Sequence, residues 1–297
     1  MPILFFLRNF SVDIKSIFWY RSQYTLKRLY TPIVPDSVKE IFRSKEFLIL
    51  DKPFDLITYE FKNDFYSMPS LFQLLKEKYP YYYNPKLTGG YHVLHRLDAV
   101  TSGCIVVPLN KTSFLVAKKA FEIGNVEKKY LALVYGNLEP DKLKMFGVNS
   151  KNGYINVEIP IGDDSNNLGH RRCTLFDQQG TQSGICINSS NTKTRIKLLE
   201  YGIYKERYCS KIILQPITGK RHQLRVIMNY LGHPIVGDTV YGIGDYESYR
   251  TMLHSYTIQI KLNYKNTKFL NASAPDPFIN SVDFDWKPHT ILNPINT

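Results

Sequence analysis

Cysteine is scarce in this chain of 297 residues: there are only four, and no two of them form a Cys-x-x-Cys pair. This spacing argues against a structural zinc site, because zinc ribbons and fingers supply their thiolates in close pairs. It also argues against a disulfide-dense secreted domain. We therefore expect an intracellular protein that works in a reducing compartment.

Long apolar runs are lacking as well. No stretch approaches the roughly 18–20 apolar residues that span a bilayer, and the apolar run at residues 47–50 is followed at once by charged residues. The chain is nevertheless 43% hydrophobic and only 22% charged, so it can bury a sizeable core. These features predict a folded protein with no membrane partner.

Acidic residues are few relative to basic ones. Thirty-eight Lys and Arg residues stand against 26 Asp and Glu residues, which gives a net charge of +12. Such an excess attracts polyanions through a long-range field. It fits nucleic acid, an anionic membrane surface or an acidic protein, and it also fits a basic surface with no partner. The 22 tyrosines do not decide between these cases, because tyrosine both stacks on bases and fills cores.

Residues 1–38 form a basic N-terminal extension that is nearly free of acidic residues. Within its first 35 positions Asp13 is the single acid. This composition matches a mitochondrial targeting segment, and it matches equally an extension that packs on the fold or lies on RNA. The compartment is therefore predicted as the cytoplasm or nucleus, with the mitochondrion as the alternative. The basic residues of the segment are Arg8, Lys15, Arg21, Lys27 and Arg28.

Hydrophobic spacing predicts short strands and a few helices that do not alternate regularly, which favours an α+β fold over a doubly wound sheet. Ser70 and Gln73 have the spacing of a capping box and predict a helix that stops at Pro80. Residues 144–194 are interpreted as hairpins and loops, and residues 264–297 as turns. Strands are predicted at residues 47–50, 105–107, 130–135, 154–159 and 212–214, and further helices at residues 114–121 and 224–231.

Residues 92–103 form the segment that is densest in reactive side chains. Two imidazoles, a guanidinium, a carboxylate and two hydroxyls crowd together just before a predicted strand. A carboxylate on a loop that a strand holds in place is a common way to present a catalytic acid to a cleft. The candidate is Asp98.

A second segment, residues 216–225, runs from a strand through a Thr-Gly turn into a helix, which is a good arrangement for facing an anion. If the apolar residues of the helix face the core, Arg221 and Arg225 become i, i+4 neighbours displaced from that face. Downstream, residues 232–242 contain three glycines and a proline and are interpreted as a fixed turn.

Three interpretations of these segments compete. A metal hydrolase would use His92, His95 and Asp98 with His222 or His233, but this spacing is not a strong ligand pattern and Arg96 would repel a cation. A basic RNA-binding module would need no catalysis. An enzyme would use one carboxylate on a nucleic acid. Without further context, Asp98 could also be an ordinary salt-bridged carboxylate in a loop.

The string His95-Arg96-Leu97-Asp98-x-x-Thr101-Ser102-Gly103 resembles the catalytic motif of the RluA family of RNA pseudouridine synthases. Residues 128–136, Lys-x-Tyr-Leu-Ala-Leu-Val-x-Gly, resemble the second motif of that family. Residues 218–225 and 232–242 resemble its third motif, and residues 47–53 its opening strand and Lys-Pro turn. The resemblance covers roughly residues 40–275 and is strongest to an animal subgroup, judging by residues 252–254 and 274–278.

The resemblance implies a pseudouridine synthase fold at residues 39–280, with a mixed, largely antiparallel sheet around one cleft and a C-terminal tail at residues 281–297. It implies an isomerase that turns uridine into pseudouridine without a metal or other cofactor. Asp98 would be the catalytic carboxylate, Arg225 would hold it ionised and aimed, and Tyr130 would stack on the uracil. Arg96 would fill the gap left by the flipped base. The other implied substrate contacts are His95, Thr101, Lys220, His222, Gln223, Leu224 and Val226.

The expected partner is structured RNA, whether ribosomal, transfer or messenger, bound by a monomer. The alternative is a catalytically silent RNA-binding protein that acts as an RNA chaperone or ribosome-assembly factor. The 45 residues before Glu46 are too few for an S4-like RNA-binding domain with a linker, so recognition would come from the catalytic domain, the basic extension or residues 144–194.

Two positions depart from the family pattern. Lys220 stands where the family usually has Arg, so the charge is kept but the bidentate fork is lost. Ile227 stands where a His is common, and we interpret it as a residue of the apolar helix face. Neither departure affects Asp98 itself.

Overall fold

The computed structural model describes residues 37–58, 70–143, 149–151, 153–165, 167–173, 186–242, 248–264 and 267–295. The basic extension predicted at residues 1–38 therefore lies outside the described residues, except for its last two. The helices are α1 (Leu71–Lys78), α2 (Lys111–Glu122) and α3 (Gln223–Tyr230), with short 3₁₀ helices at Pro80–Tyr82 and Thr88–Gly90. The strands are β1 (Lys39–Arg43), β2 (Phe47–Lys52), β3 (Ser102–Pro108), β4 (Val126–Tyr135), β5 (Asn149–Lys151), β6 (Tyr154–Asp164), β7 (Asn167–Cys173), β8 (Cys186–Tyr204), β9 (Arg207–Pro216), β10 (Leu253–Tyr264), β11 (Thr267–Ser273) and β12 (Trp286–Ile291).

The twelve strands of the described residues belong to one sheet, whose main order is β1-β2-β3-β10-β4-β9-β8-β6-β5. The remaining three strands are attached at the side: β11 pairs with β10, β12 with β8, and β7 with β6. The pairing of β3 with β10 is parallel, and the other recorded pairings are antiparallel. The predicted α+β fold with a mixed, largely antiparallel sheet is confirmed.

The helices begin and end where local chemistry predicts. Ser70 caps α1, because its side chain accepts a hydrogen bond from the Gln73 amide while the Gln73 side chain accepts one from the Ser70 amide. The apolar face of α3 is buried, and Gly232 ends that helix with a φ of 77°, a left-handed conformation that costs glycine little. Within the described residues, no helix is long and apolar enough to cross a membrane.

The region after residue 264 holds more regular structure than its sequence indicates. Strand β11 pairs with β10, and β12 pairs with β8. Trp286, at the start of β12, is completely buried, although the sequence places it in a C-terminal tail. The pattern hides β12 because Trp286 is its only buried residue, so no alternation marks a strand.

Residues 144–194 were predicted to form hairpins and loops rather than a separate domain. The described part of this region contributes β5, β6, β7 and the first half of β8 to the common sheet. Strand β8 continues for 19 residues and pairs with β6, β9 and β12. Its first half is mostly polar, so the sequence pattern does not indicate a strand of that length.

Candidate active site

The loop that carries Asp98 is clamped by the last residue of β2 and by the segment that follows it. The Lys52 ammonium group is completely buried and donates hydrogen bonds to the carbonyls of Leu56 and Ala99, at 2.7 and 3.1 Å. The Thr58 hydroxyl donates to the carbonyl of Leu97 at 3.1 Å. Residues on both sides of Asp98 are therefore fixed by hydrogen bonds to their backbone. The sequence shows Lys52 only as part of a Lys-Pro turn, and its clamping role depends on the fold.

Arg225 joins Asp98 to a second carboxylate. Its guanidinium donates two hydrogen bonds of 2.7 Å to the two oxygens of Asp238, and its Nη1 lies 3.5 Å from Oδ2 of Asp98. The side chains of Arg225 and Asp238 are 5% and 1% exposed, whereas that of Asp98 is 20% exposed. The structure thus contains the Asp98–Arg225 ion pair that the resemblance implies. It adds Asp238, which the sequence showed only as a turn residue.

The charge states of Arg225 and Asp238 follow from their burial and from the attraction between their opposite charges. Burial by itself would lower the pKa of Arg225, but the Asp238 carboxylate offsets burial and raises that pKa. Burial would raise the pKa of Asp238, yet Arg225 and backbone N–H groups hold it below its usual value. The backbone donors are the amides of Val240 and Tyr241. Both groups are therefore charged at neutral pH, and Arg225 presents a fixed positive charge to Asp98.

His222 approaches Asp98 from the start of α3. Its Nε2 lies 3.9 Å from Oδ1 of Asp98, and its Nδ1 lies 2.7 Å from the Tyr241 hydroxyl. Burial lowers the pKa of His222 to about 4, although the neighbouring Asp98 carboxylate acts in the opposite direction. The ring is therefore neutral at neutral pH. It faces Asp98 as a polar group rather than as a second cation.

Tyr130 and Leu224 supply flat and apolar surfaces beside Asp98. Tyr130 points from β4 into the cavity, and burial, followed by the Asp98 charge, raises its pKa. Its hydroxyl stays protonated at neutral pH. Leu224 is buried and lines the same cavity from α3. Together they provide an apolar setting in which a planar ring can be held.

Asp98 stands at the meeting point of two open cavities. The larger by empty volume, which includes its open mouth, measures about 790 Å³, and the smaller measures about 660 Å³. Asp98, His222, Arg225 and the exposed Arg96 line both cavities. The larger cavity is also lined by Leu97, Thr101, Lys128, Tyr130, Pro216, Thr218, Gly219, Lys220, Arg221, Gln223, Leu224 and Leu253.

Two of the residues implied by the resemblance are not among those that line the cavities. His95 accepts a hydrogen bond from the Val106 amide at 2.9 Å and stacks on Phe121, and burial lowers its pKa to about 3. It therefore ties the loop to β3 as a neutral acceptor. Val226 is buried in the main core cluster. The residues that do line the larger cavity are Arg96, Asp98, Thr101, Tyr130, Lys220, His222, Gln223, Leu224 and Arg225.

Gln223 lines the cavity but has its whole amide bonded within the protein. Its carbonyl oxygen accepts from the Thr218 hydroxyl and the Lys220 amide, both at 3.0 Å. Its NH₂ group donates to the Lys193 carbonyl and the Thr194 hydroxyl. These four bonds use the full capacity of the side chain. Gln223 thus fixes the turn at residues 218–220 against β8.

The histidines of the metal interpretation are not gathered into one cluster. His92 stacks on Phe114, and His233 lies 2.8 Å from the Tyr135 carbonyl through its Nδ1. Over the described ranges, no group of three or more His, Cys, Asp or Glu side chains is arranged to hold a metal ion.

Comparison with known proteins connects this geometry to a family. The family model for RNA pseudouridylate synthase matches residues 46–230. The chain is 34% identical to the Bos taurus RNA pseudouridylate synthase domain-containing protein 1 over 269 residues, which cover 88% of this chain and 80% of that protein. It is 29% identical to the dual-specificity RNA pseudouridine synthase RluA of Pasteurella multocida over 84% of this chain and 98% of that protein.

A solved structure agrees with the sequence relatives. The structure of human RNA Pseudouridylate Synthase Domain Containing 1 has a TM-score of 0.70 and 29% identity, and the match covers 89% of this chain and 94% of that one. The resemblance found in the motifs, including the animal subgroup, is thereby confirmed. The chain belongs to the RNA pseudouridylate synthase family, in its RluA-type branch, and is an isomerase of RNA uridines.

Proposed function

We propose that the chain converts uridine to pseudouridine in structured RNA, with Asp98 as the catalytic carboxylate. The observation that carries this proposal is the position of Asp98. Its carboxylate lies between two open cavities, is paired with the buried Arg225 and remains partly exposed. A carboxylate that is charged, aimed and accessible is what the reaction requires.

In this reaction one bond to C1′ of the ribose breaks and another forms. The bond from C1′ to N1 of uracil breaks, the uracil turns, and a bond from C1′ to C5 forms. The proton on C5 leaves, and N1 takes up a proton. A carboxylate suits this path either by attacking a carbon or by removing a proton from the sugar. Every atom of the product comes from the substrate and no electrons are exchanged, so we propose a reaction without a metal or other cofactor.

Tyr130 and Leu224 are proposed to hold the uracil in this path. The aromatic face of Tyr130 stacks on the base, and Leu224 forms an apolar wall. Because the pKa of Tyr130 is raised by burial and by Asp98, its hydroxyl stays protonated and donates a hydrogen bond rather than acting as a base.

Arg96 is proposed to support base flipping. A uridine inside a stem or loop must leave its stack before C1′ can reach Asp98. The Arg96 side chain is exposed and lines both cavities beside Asp98. We propose that it occupies the space that the uridine leaves, or contacts a phosphate beside it.

The test compares Asp98→Asn with the wild type on a pool of in vitro transcripts, with pseudouridine measured by mass spectrometry of the nucleosides. We expect no product from Asp98→Asn, because the amide carries no charge and is a poor nucleophile and base. Glu158→Gln is the matched control, because Glu158 is a well-exposed carboxylate outside the cavity. Equal product from wild type and Asp98→Asn would refute the assignment. RNA binding without product from the wild type would favour a silent RNA-binding protein.

A further inference from the structure

Lys128 is a cationic side chain of the larger cavity to which neither the motifs nor the proposed chemistry gives a task. It lies two positions before Tyr130 on β4, so both side chains point to the same side of the strand, about 7 Å apart along it. Both line the cavity. Lys128 is half-buried, and burial lowers the pKa of its ammonium group.

Lys128 has no acidic partner within the described part of the chain. Its neighbour Lys129 pairs with Glu127 at 2.9 Å, and Lys193 pairs with Glu158 at 3.0 Å. The recorded contact of the Lys128 ammonium is the Phe121 ring, 5.8 Å from its centroid. Removing a charge from water without pairing it costs free energy, and an anionic ligand would recover part of that cost.

The turn at residues 218–220 leaves an approach to this ammonium group open. A side-chain carbon built on Gly219 would lie 3.7 Å from the Lys128 Nζ and within 4 Å of no other atom outside its chain neighbours. The φ of Gly219 is not positive, so the backbone does not require glycine there. Gln223 holds the turn rigidly, and the exposed Lys220 adds a second cation to it. The missing side chain keeps clear the space above Lys128.

We propose that Lys128 and the Gly219–Lys220 turn form a phosphate subsite that binds a backbone phosphodiester beside the uridine in the active site. This inference rests on the proposed RNA substrate. An ammonium group is a compact point charge that binds phosphate well. The uracil base is neutral, and its proposed contacts are Tyr130 and Leu224, so it does not need the charge of Lys128.

The position of Lys128 favours a phosphate over the reacting atoms. Tyr130, which is proposed to stack on the uracil, lies about 7 Å along β4 from Lys128, so the two side chains reach different parts of the substrate. A group at that place binds the RNA chain that leads into the cavity, while C1′ stays at Asp98.

The first test measures kcat and KM on a transcript that the wild type modifies, and RNA affinity as a function of salt concentration. For Lys128→Gln we expect KM to rise about tenfold, the usual effect of losing a hydrogen bond to a charged group, with kcat unchanged. The slope of log affinity against log salt should become smaller in magnitude by about 0.7–0.9, the value for one phosphate contact. Lys128→Arg should restore both.

Two further variants separate the subsite from general charge effects. Gly219→Val keeps every charge but fills the space above Lys128, so it should raise KM and reduce the salt slope as Lys128→Gln does. Lys142→Gln removes one positive charge from an exposed lysine that pairs with Glu139, and it should change neither quantity. Thermal unfolding of each variant confirms that the fold is kept.

A chemical probe then locates the phosphate. Transcripts are made with one neutral methylphosphonate at a time on either side of the target uridine. At the bound position the methylphosphonate should weaken binding to the wild type but not further weaken binding to Lys128→Gln, because both changes remove the same contact.

Several outcomes would overturn the subsite. It fails if Lys128→Gln lowers kcat with the salt slope intact, if it behaves like Lys142→Gln, or if every methylphosphonate effect adds to that of Lys128→Gln. Failure of the proposed function looks different. If the wild type forms no pseudouridine, the salt slopes and methylphosphonate effects on binding still decide whether the subsite exists.

Discussion

Two buried cations of this protein, Arg225 and Lys211, each face two carboxylates but do different things. Lys211 lies 2.6 Å from Asp276 and 3.6 Å from Glu200, and it donates a hydrogen bond to the Phe278 carbonyl. It ties the segment after β11 to β9, and none of these groups lines either cavity at Asp98. Arg225 lines both cavities.

The difference lies in how the hydrogen bonds are distributed. Arg225 makes its two 2.7 Å bonds with Asp238 and approaches Asp98 only to 3.5 Å. Asp98 therefore receives a fixed opposite charge while its oxygens remain available to a substrate. The shortest contact of Lys211 is with Asp276 itself, which suits an anchor. A buried ion pair supports reactivity when a third group takes up the strongest bonds of the cation.

The largest effect is expected from Arg225→Met. It leaves Asp238 buried without its partner, which should lower the free energy of unfolding by about 3–5 kcal/mol. Loss of the aim of Asp98 should lower kcat/KM of the folded molecules by about 100-fold. Arg225→Lys keeps the positive charge but loses the two-pronged hydrogen bonding of the guanidinium. Its stability and its kcat/KM should therefore lie between those of the wild type and those of Arg225→Met. Denaturant titration and nucleoside mass spectrometry measure the two quantities, and unchanged kcat/KM would remove Arg225 from the mechanism.

Lys211→Met should have an equal effect on stability and none on turnover. It leaves Asp276 and Glu200 near a buried site without their cation, so we again expect a loss of about 3–5 kcal/mol. The kcat/KM per folded molecule should match the wild type at a temperature where the variant stays folded. A loss of kcat/KM as large as that of Arg225→Met would show that the two clusters are not distinct.

Arg225 with Asp98 and Asp238 is called here the Arg225 cluster, and Lys211 with Glu200 and Asp276 the Lys211 cluster. The sequence predicts the Arg225 cluster in part and the Lys211 cluster not at all. Asp98 and Arg225 were paired because the motifs around them resemble a family, since no periodicity links positions so far apart. Asp238 was visible only as the end of a turn, because its partner is set by the way that turn packs on β4. Lys211 looks like any lysine of a strand, and its partner Asp276 lies in a segment that showed only a resemblance to the animal subgroup and no hydrophobic spacing.

Local signals predicted elements well where the chemistry is local. The capping box at Ser70 and the apolar spacing of α3 fixed two helices, because both act within a few residues. Strand β12 was missed since its pairing with β8 is long-range and its burial rests on Trp286 alone. His95 shows the limit of a motif. Its position matches the family, yet its ring is bonded to the Val106 amide within the protein.

The smallest expected effect is the pH dependence of stability that His222 causes, which tests how well water is excluded around Arg225 and Asp98. Its pKa is lowered by burial to about 4, whereas a histidine in the unfolded chain titrates near 6.5. The fold therefore favours the neutral ring. The contribution of this histidine to stability is complete above about pH 6.5 and is lost as the pH falls towards 4.

The measurement is the difference in the free energy of unfolding between wild type and His222→Gln from pH 7 to pH 4.5. Because glutamine does not titrate, the wild type should lose up to about 1.4 kcal/mol per pH unit relative to the variant below pH 6.5. His289→Gln is the control, since His289 is exposed on β12 and lines neither cavity at Asp98. Equal pH slopes for the two variants would mean that water reaches the His222 ring. Water would then reach Arg225 and its neighbours as easily as it reaches the protein surface, and burial would not explain how Arg225 fixes the Asp98 carboxylate.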